Sequence, residues 1–340
     1  MRLRRSNVGG PGVRRVRRGR GFSYAEAGGT PLTDPDTLAR IEELVIPPAW
    51  KNVWICPYPN GHIQAVGTDA AGRKQYLYHQ RWQQERAEEK YDRTLSLAKR
   101  LPDWRTQVVS DLRGRGLQCA RVLAVAQRLL DRGYFRAGGE EYAQENGSFG
   151  LATLRREHVR LRRDSVEFDY PAKSGVQRTI ELEDPLVVRA VRSLMRAQTR
   201  LPRLLVYRSD EGDWVEMRAD DVNGRFRELV GDEFSIKDLR TWHGTVLAAE
   251  AFAHSPEPTS KTARRRTEST VMKAVAAELG NTPAVARASY VDPRVVQAYQ
   301  DGLTIQPAIL RAQRHRSPAA RQELIEKATC RLIHRVEKGR

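Results

Sequence analysis

The chain has 340 residues, 40% of them hydrophobic, and carries 59 Lys and Arg against 42 Asp and Glu, a formal net charge of +17. That composition excludes a disordered chain, and the length allows two or three domains. The field predicts polyanionic partners, nucleic acid ahead of an anionic membrane surface. The longest apolar runs, such as Val122 to Ala126, are far too short to span a bilayer, and no apolar stretch follows the basic N-terminus. Neither a membrane partner nor a secretory leader is therefore expected. Cys56, Cys119 and Cys330 are odd in number and scattered, which argues against a disulfide framework and suits a reducing compartment. Cys-x-x-Cys, His-Glu-x-x-His and the P-loop pattern do not occur, so neither a zinc site nor a nucleotide-driven motor is expected.

Residues 1–20 hold eight Arg and no acid, without periodicity. They read as a flexible basic tail, able to lie on phosphates or simply to keep the chain soluble. A module over residues 21–90 follows. Asp36 to Val45 reads as a short helix, capped by Asp34 or Asp36 and stopped by Pro47-Pro48. Val53 to Cys56, Gly61 to Gly67 and Gln75 to Tyr78 read as short strands of a small antiparallel sheet. From about His79 to Arg100 the chain is charged and helical. Residues 91–340 are expected to be mostly helical, with helices near 104–112, 120–130, 185–196, 219–229, 237–253, 269–279, 283–290, 293–299 and 307–338. Within them, Val166, Phe168 and Tyr170 alternate, Lys173-Ser174-Gly175 turns, and Ile180 and Leu182 alternate, which predicts an inserted β-hairpin. The expected fold class is α+β.

Five residues have chemistry to offer, and each has an ordinary structural explanation beside it. Arg136, in Tyr134-Phe135-Arg136-Ala137-Gly138, presents a fork suited to two phosphate oxygens, or is an exposed Arg after a helix end. Lys173, at the hairpin tip, is placed to donate a proton into a groove, or is one more solvated turn residue. Arg240 falls in the first turns of a helix, where a cation opposes the macrodipole unless an anion sits there; a surface pairing with Asp238 explains it equally well. Asn281 reads as punctuation between Gly280 and Thr282-Pro283, with an amide that can donate to an oxyanion. Tyr290 closes a short helix, as half-buried packing residues do, and is a competent nucleophile toward phosphorus.

The set and order of these residues resemble the active site of type IB DNA topoisomerases, in the small poxvirus-like and bacterial form. Phe135-Arg136-Ala137-Gly138, Tyr142 to Asn146, Gly150 to Leu154 with His158, Lys237 to Thr241, and Leu279 to Pro283 through Tyr290 carry the likeness. Gly67 to Tyr78 carries it into the N-terminal module. Many family members have His where this chain has Asn281. The resemblance implies a small N-terminal sheet domain and a helical catalytic domain closing as a clamp on duplex DNA. It implies Tyr290 as nucleophile, Arg136, Arg240 and Asn281 on the phosphate oxygens, and Lys173 as general acid. Arg73, Gln75, Tyr76, Tyr78 and Tyr142 match residues that touch DNA. The implied reaction is reversible transesterification through a 3′-phosphotyrosyl bond, relaxing supercoils of both signs without ATP, metal or other cofactor. A monomer in the cytoplasm, associated with the nucleoid, is the implied setting. A tyrosine recombinase shares the chemistry but usually has a helical N-terminal domain and a His-x-x-Arg motif. A non-catalytic basic DNA-binding protein also fits the charge.

Overall fold

The computed structural model describes residues 2–139 and 147–339, and the chain divides into two compact units, Met1–Lys90 and Tyr91–Arg340. The first is built on a five-stranded antiparallel sheet. Its strands are β1 (Val13–Arg18), β2 (Gly21–Ala25), β3 (Lys51–Ile55), β4 (Ile63–Thr68) and β5 (Lys74–Tyr78), in the order β2-β1-β3-β4-β5. Helix α1 (Pro35–Glu43) starts where Asp34 Oδ2 accepts the Thr37 amide at 2.9 Å and a proline fits the first turn. Its Ile41 packs with Val13, Val53, Ile55 and Ala65 on one face of the sheet, while Trp54, Cys56 and Val66 cover the other.

The basic arm is not a flexible tail over its whole length. Val13–Arg18 is a strand paired with both β2 and β3. The Arg15 guanidinium explains how so charged a segment is fixed. It donates to the carbonyls of Ile46 and Pro47 at 3.2 Å and of Trp50 at 2.7 Å, satisfying a turn that no strand pairs. Nearer the terminus, the Ser6 amide donates to His62 Nδ1 at 2.9 Å.

The second unit is mostly helical. It takes in the end of α2 (Gln80–Ala98), then α3 (Leu101–Leu112), α4 (Cys119–Gly133), α5 (Pro185–Met195), α6 (Ala219–Val230), α7 (Ile236–His254), α8 (Lys261–Leu279), α9 (Pro293–Gln300), α10 (Gln306–Ala312) and α11 (Pro318–Lys338). A three-stranded antiparallel sheet, β6 (Val159–Leu161), β7 (Val166–Pro171) and β8 (Gln177–Leu182), interrupts them. The expected hairpin is β7 and β8, in register Phe168↔Ile180 and Tyr170↔Arg178. A two-stranded ribbon, β9 (Val206–Arg208) and β10 (Trp214–Glu216), has no counterpart in the sequence reading. The single helix expected over 307–338 is two, because Ser317 caps a fresh start at Pro318.

Helix α7 is buried over most of its length and runs through the core; Leu239, Trp242, Ala248 and Phe252 are among its buried apolar residues. Behind it, Arg105 donates to Asp131 at 2.9 Å and to Glu326 at 2.8 Å, and His243 Nε2 lies 3.3 Å from Asp131. Burial alone would raise the Asp131 pKa, but Arg105 and His243 outweigh it and hold the carboxylate well below its usual range. These buried charges are therefore paired, and they fix α3, α4, α7 and α11 against one another.

Candidate active site

Four local structures bring the candidate residues together. The first is the exit from α4. Tyr134 ends the helix in the left-handed conformation (φ 52°). Phe135 is fully buried, with ring centres 5.1 Å from Phe168 and 5.8 Å from Tyr170. Arg136, next to it, is only partly buried. The amides of Leu151 and Ala152 donate to the carbonyls of Arg136 and Ala137, each at 2.8 Å, so the segment is held along its length. His158 packs at 4.5 Å from the Phe149 ring and accepts the Arg155 amide at 3.1 Å, a supporting role in the core.

The second is the end of α8. The Gly280 amide donates to Ala277 and the Asn281 amide to Ala276, with Gly280 left-handed (φ 60°). This is a Schellman termination, and it leaves the last carbonyls of the helix unpartnered along the axis. Three arginines fill that role on three successive residues. Arg178 Nη2 donates to Glu278 O at 2.7 Å, Arg240 Nη2 to Leu279 O at 2.7 Å, and Arg136 Nη2 to Gly280 O at 3.0 Å. The negative end of a helix is where converging cations are least costly. Arg136 also donates to Asn281 Oδ1, and Arg240 to Tyr134 O.

Arg240 is only 4% exposed, and Asp238 pairs with Arg93 instead. The conflict expected at the start of α7 is resolved by the C-terminus of another helix. Burial, with a smaller repulsion from Arg136, lowers the Arg240 pKa to about 10 against an attraction to Tyr290.

The third is the segment after Asn281. Thr282 caps one helical turn (Pro283–Val285), which continues as a π-helical turn, Ala286–Tyr290. π-Turns of this kind frequently accompany functional sites. Tyr290 is half-buried, its ring centre 5.4 Å from the Arg240 guanidinium carbon. Its carbonyl accepts from Thr245 Oγ1 at 3.2 Å on α7. A Cβ on Gly244 would lie 2.7 Å from that carbonyl and 2.9 Å from Tyr290 Cβ, so α7 needs glycine to admit the π-turn this closely. Gly244→Ala is expected to cost about 1–3 kcal/mol by overpacking and to slow any reaction of Tyr290 by about 10²-fold through displacement. Thermal unfolding and single-turnover rates measured together check it.

The fourth is the hairpin tip. Lys173 opens a 3₁₀ turn (Lys173–Gly175) and is exposed. A cleft of about 500 Å³ is lined by Lys173, Arg136, Arg178, Asn281, Thr282 and Tyr290, with further neutral residues and no carboxylate among the described residues. Arg240 sits beside Tyr290 rather than on the cleft wall. A smaller cleft of about 200 Å³, also between Arg136 and Lys173, is bounded by Phe149 and Gly150. Asn281 Nδ2 is buried with no acceptor among the described residues. A buried donor of that kind in a cationic cleft suits an anionic oxygen.

On the first unit, Tyr76 and Tyr78 are exposed on β5 with stacked rings 6.0 Å apart. Gln75 points to the opposite face of β5, where its amide donates to Asp69 at 2.9 Å, and Arg73 Nε donates to the same carboxylate at 3.0 Å. Tyr142 lies outside the described residues. The sequence reading did not single out Arg178, Gly244 or the Tyr134 carbonyl. Arg178 shares the inward side of β8 with Ile180 and Leu182, opposite buried Tyr170, so a charged residue in the inward phase of that strand is the signal that could have found it.

This cationic, tyrosine-bearing cleft suits an anionic ligand. Residues 79–315 match the family model described as the eukaryotic DNA topoisomerase I catalytic core, and residues 21–69 match the bacterial DNA topoisomerase IB N-terminal domain. The chain is 30% identical to DNA topoisomerase 1B of Acanthamoeba polyphaga mimivirus over 297 residues, 85% of this chain and 88% of that one. It is 22% identical to DNA topoisomerase 1B of vaccinia virus (strain Copenhagen) over 246 residues, covering 69% and 72%. DNA topoisomerase 1 alpha of Arabidopsis thaliana matches at 26% over 165 residues, 48% of this chain and 17% of that protein. The chain belongs to the type IB DNA topoisomerase family and is an enzyme of that class, with DNA as its substrate. No helix among the described residues is long and apolar enough to cross a membrane.

Proposed function

We propose that this enzyme relaxes positive and negative supercoils by reversible transesterification at Tyr290, without a nucleotide or metal cofactor. The observation that carries the proposal is the convergence of Arg136 and Arg240 on the end of α8, with Arg136, Asn281, Lys173 and Tyr290 lining a cleft that has no carboxylate in its described lining and Arg240 beside the Tyr290 ring. Tyr290 Oη loses its proton and bonds to the scissile phosphorus, and the bond from phosphorus to the 5′-oxygen breaks. Lys173 gives a proton to that oxygen, a contribution of about 10²–10⁴-fold. Negative charge grows on the nonbridging oxygens in the transition state. The guanidiniums of Arg136 and Arg240 and the free Nδ2 of Asn281 are donors already fixed in place before it forms, each worth about 2.7–4 kcal/mol if it behaves like an oxyanion-hole donor. The protein-held phosphodiester keeps the bond energy, so the freed 5′-hydroxyl reverses the step after the strand has swivelled.

Asn281 differs from the His common in relatives in carrying no charge. It is tied to Arg136 through its carbonyl and offers its amide to the phosphate, so its share is smaller than that of either arginine. The stacked Tyr76 and Tyr78 and the basic first strand are the proposed DNA contacts of the N-terminal unit, largely to the backbone and thus weakly selective for sequence. Action as a monomer at the nucleoid belongs to the same proposal.

The end label of a cleaved duplex tests the chemistry. With the label on the 5′ side of the nick, it is expected to stay with denatured protein, while the strand beyond leaves with a free 5′-hydroxyl. A label retained from the 3′ side would mean the opposite polarity and would remove the role assigned to Lys173.

A further inference from the structure

Arg178 has no part in the reaction above, yet it is the third guanidinium on the end of α8. It stands on β8 opposite Tyr170, one residue inside the last pair, Pro171↔Gln177, from which the lysine turn springs. Its Nη2 donates to Gly133 O at 3.2 Å, the last residue of α4, and to Glu278 O at 2.7 Å on α8. Those two helix ends lead into the other arginine sites: Arg136 lies three residues after Gly133, and Leu279, which holds Arg240, follows Glu278. A Cβ on Gly280 would lie 2.3 Å from Arg178 Nη1, so the left-handed glycine leaves the space this guanidinium fills. Burial, and to a lesser degree Arg136, lower the Arg178 pKa, so the fork is held there against an electrostatic cost.

We infer that Arg178 is a positioning residue for Lys173: its fork ties the base of the lysine turn to the ends of α4 and α8, the first leading into Arg136 and the second accepting from both Arg136 and Arg240. The inference rests on the reading of Lys173 as general acid. A lost tie lets the exposed tip move relative to the scissile phosphate, and the leaving 5′-oxygen then waits for its proton.

Sulfur in place of the bridging 5′-oxygen separates this role from a structural one, because a thiolate leaves without protonation. Single-turnover cleavage is measured on oxygen and sulfur duplexes for the parent chain, Arg178→Gln, Arg178→Lys and Lys173→Ala, with thermal unfolding alongside. Arg178→Gln is expected to be slowed about 10–100-fold on oxygen and to come within about threefold of the parent on sulfur. Arg178→Lys keeps the charge and one carbonyl bond, and should show the same pattern at reduced size. It also serves if the Gln variant does not fold. Equal slowing on both duplexes, or no slowing on oxygen, would overturn the inference while Lys173→Ala is rescued by sulfur. Failure of sulfur to rescue Lys173→Ala would instead overturn the general-acid reading, and this inference with it.

Discussion

Tyr290→Phe is expected to bind duplex DNA like the parent chain, to form no covalent adduct, and to lose relaxation by more than about 10⁴-fold. The substitution removes one oxygen and little else. The ring is half-buried against the core, and the turn is held through main-chain groups: Thr245 Oγ1 on the Tyr290 carbonyl and the Asp292 amide on Thr245 Oγ1 at 3.1 Å. Phenylalanine keeps all of these contacts, so unfolding temperature should change little. Adducts trapped with detergent and resolved on a gel, beside a binding titration, read the outcome. An adduct of normal yield in the Phe variant would assign the nucleophile elsewhere.

Arg240→Ala should reduce cleavage by about 10²–10³-fold, the loss associated with one preorganised donor at a developing oxyanion. The side chain serves two purposes at once. Its nitrogens hold Leu279 O and Tyr134 O, and its charge stands beside Tyr290. Arg240→Lys separates them by restoring charge without the fork, and is expected to recover only part of the rate. The pH dependence has a definite sign. Burial lowers the Arg240 pKa from 12.5 to about 10, so the folded state binds its proton less tightly than the unfolded one. Its contribution to stability is thus unfavourable below about pH 10 and is relieved as pH rises between the two values. Activity runs the other way: the charged form is the useful one, and cleavage should fall as pH passes about 10. In Arg240→Lys the same burial acts on a weaker base, so that fall should begin at lower pH. A single-turnover rate profile for both proteins checks this.

What was legible in the sequence follows from where the signal is local. Alternation at Val166, Phe168 and Tyr170 marks a strand with one buried face, and the hairpin stands where it was expected. Gly280-Asn281-Thr282-Pro283 carries a helix stop and a helix start in four residues, and both occur. Strand β1 was hidden because Arg14, Arg15, Arg17 and Arg18 surround its two valines; its stability comes from Arg15 reaching carbonyls more than thirty residues away. Ribbon β9–β10 is too short for its alternation to rise above chance. The candidate residues themselves could be picked out by type and order, but not their common anchor. That Arg136, Arg178 and Arg240 meet on three successive carbonyls is a property of where α8 ends in space, and sequence separations of 144, 100 and 39 residues, respectively, conceal it.

The proposed reaction has the cleft cut and reseal DNA through Tyr290, with the bond energy kept in the phosphotyrosyl link. Relaxation of positively and negatively supercoiled plasmid, in EDTA and without ATP, tests it most directly when the parent chain and Tyr290→Phe are run side by side. The parent chain is expected to relax both signs, and the variant to bind both plasmids and relax neither. A parent chain that retards plasmid on a gel yet leaves its linking number unchanged would contradict it.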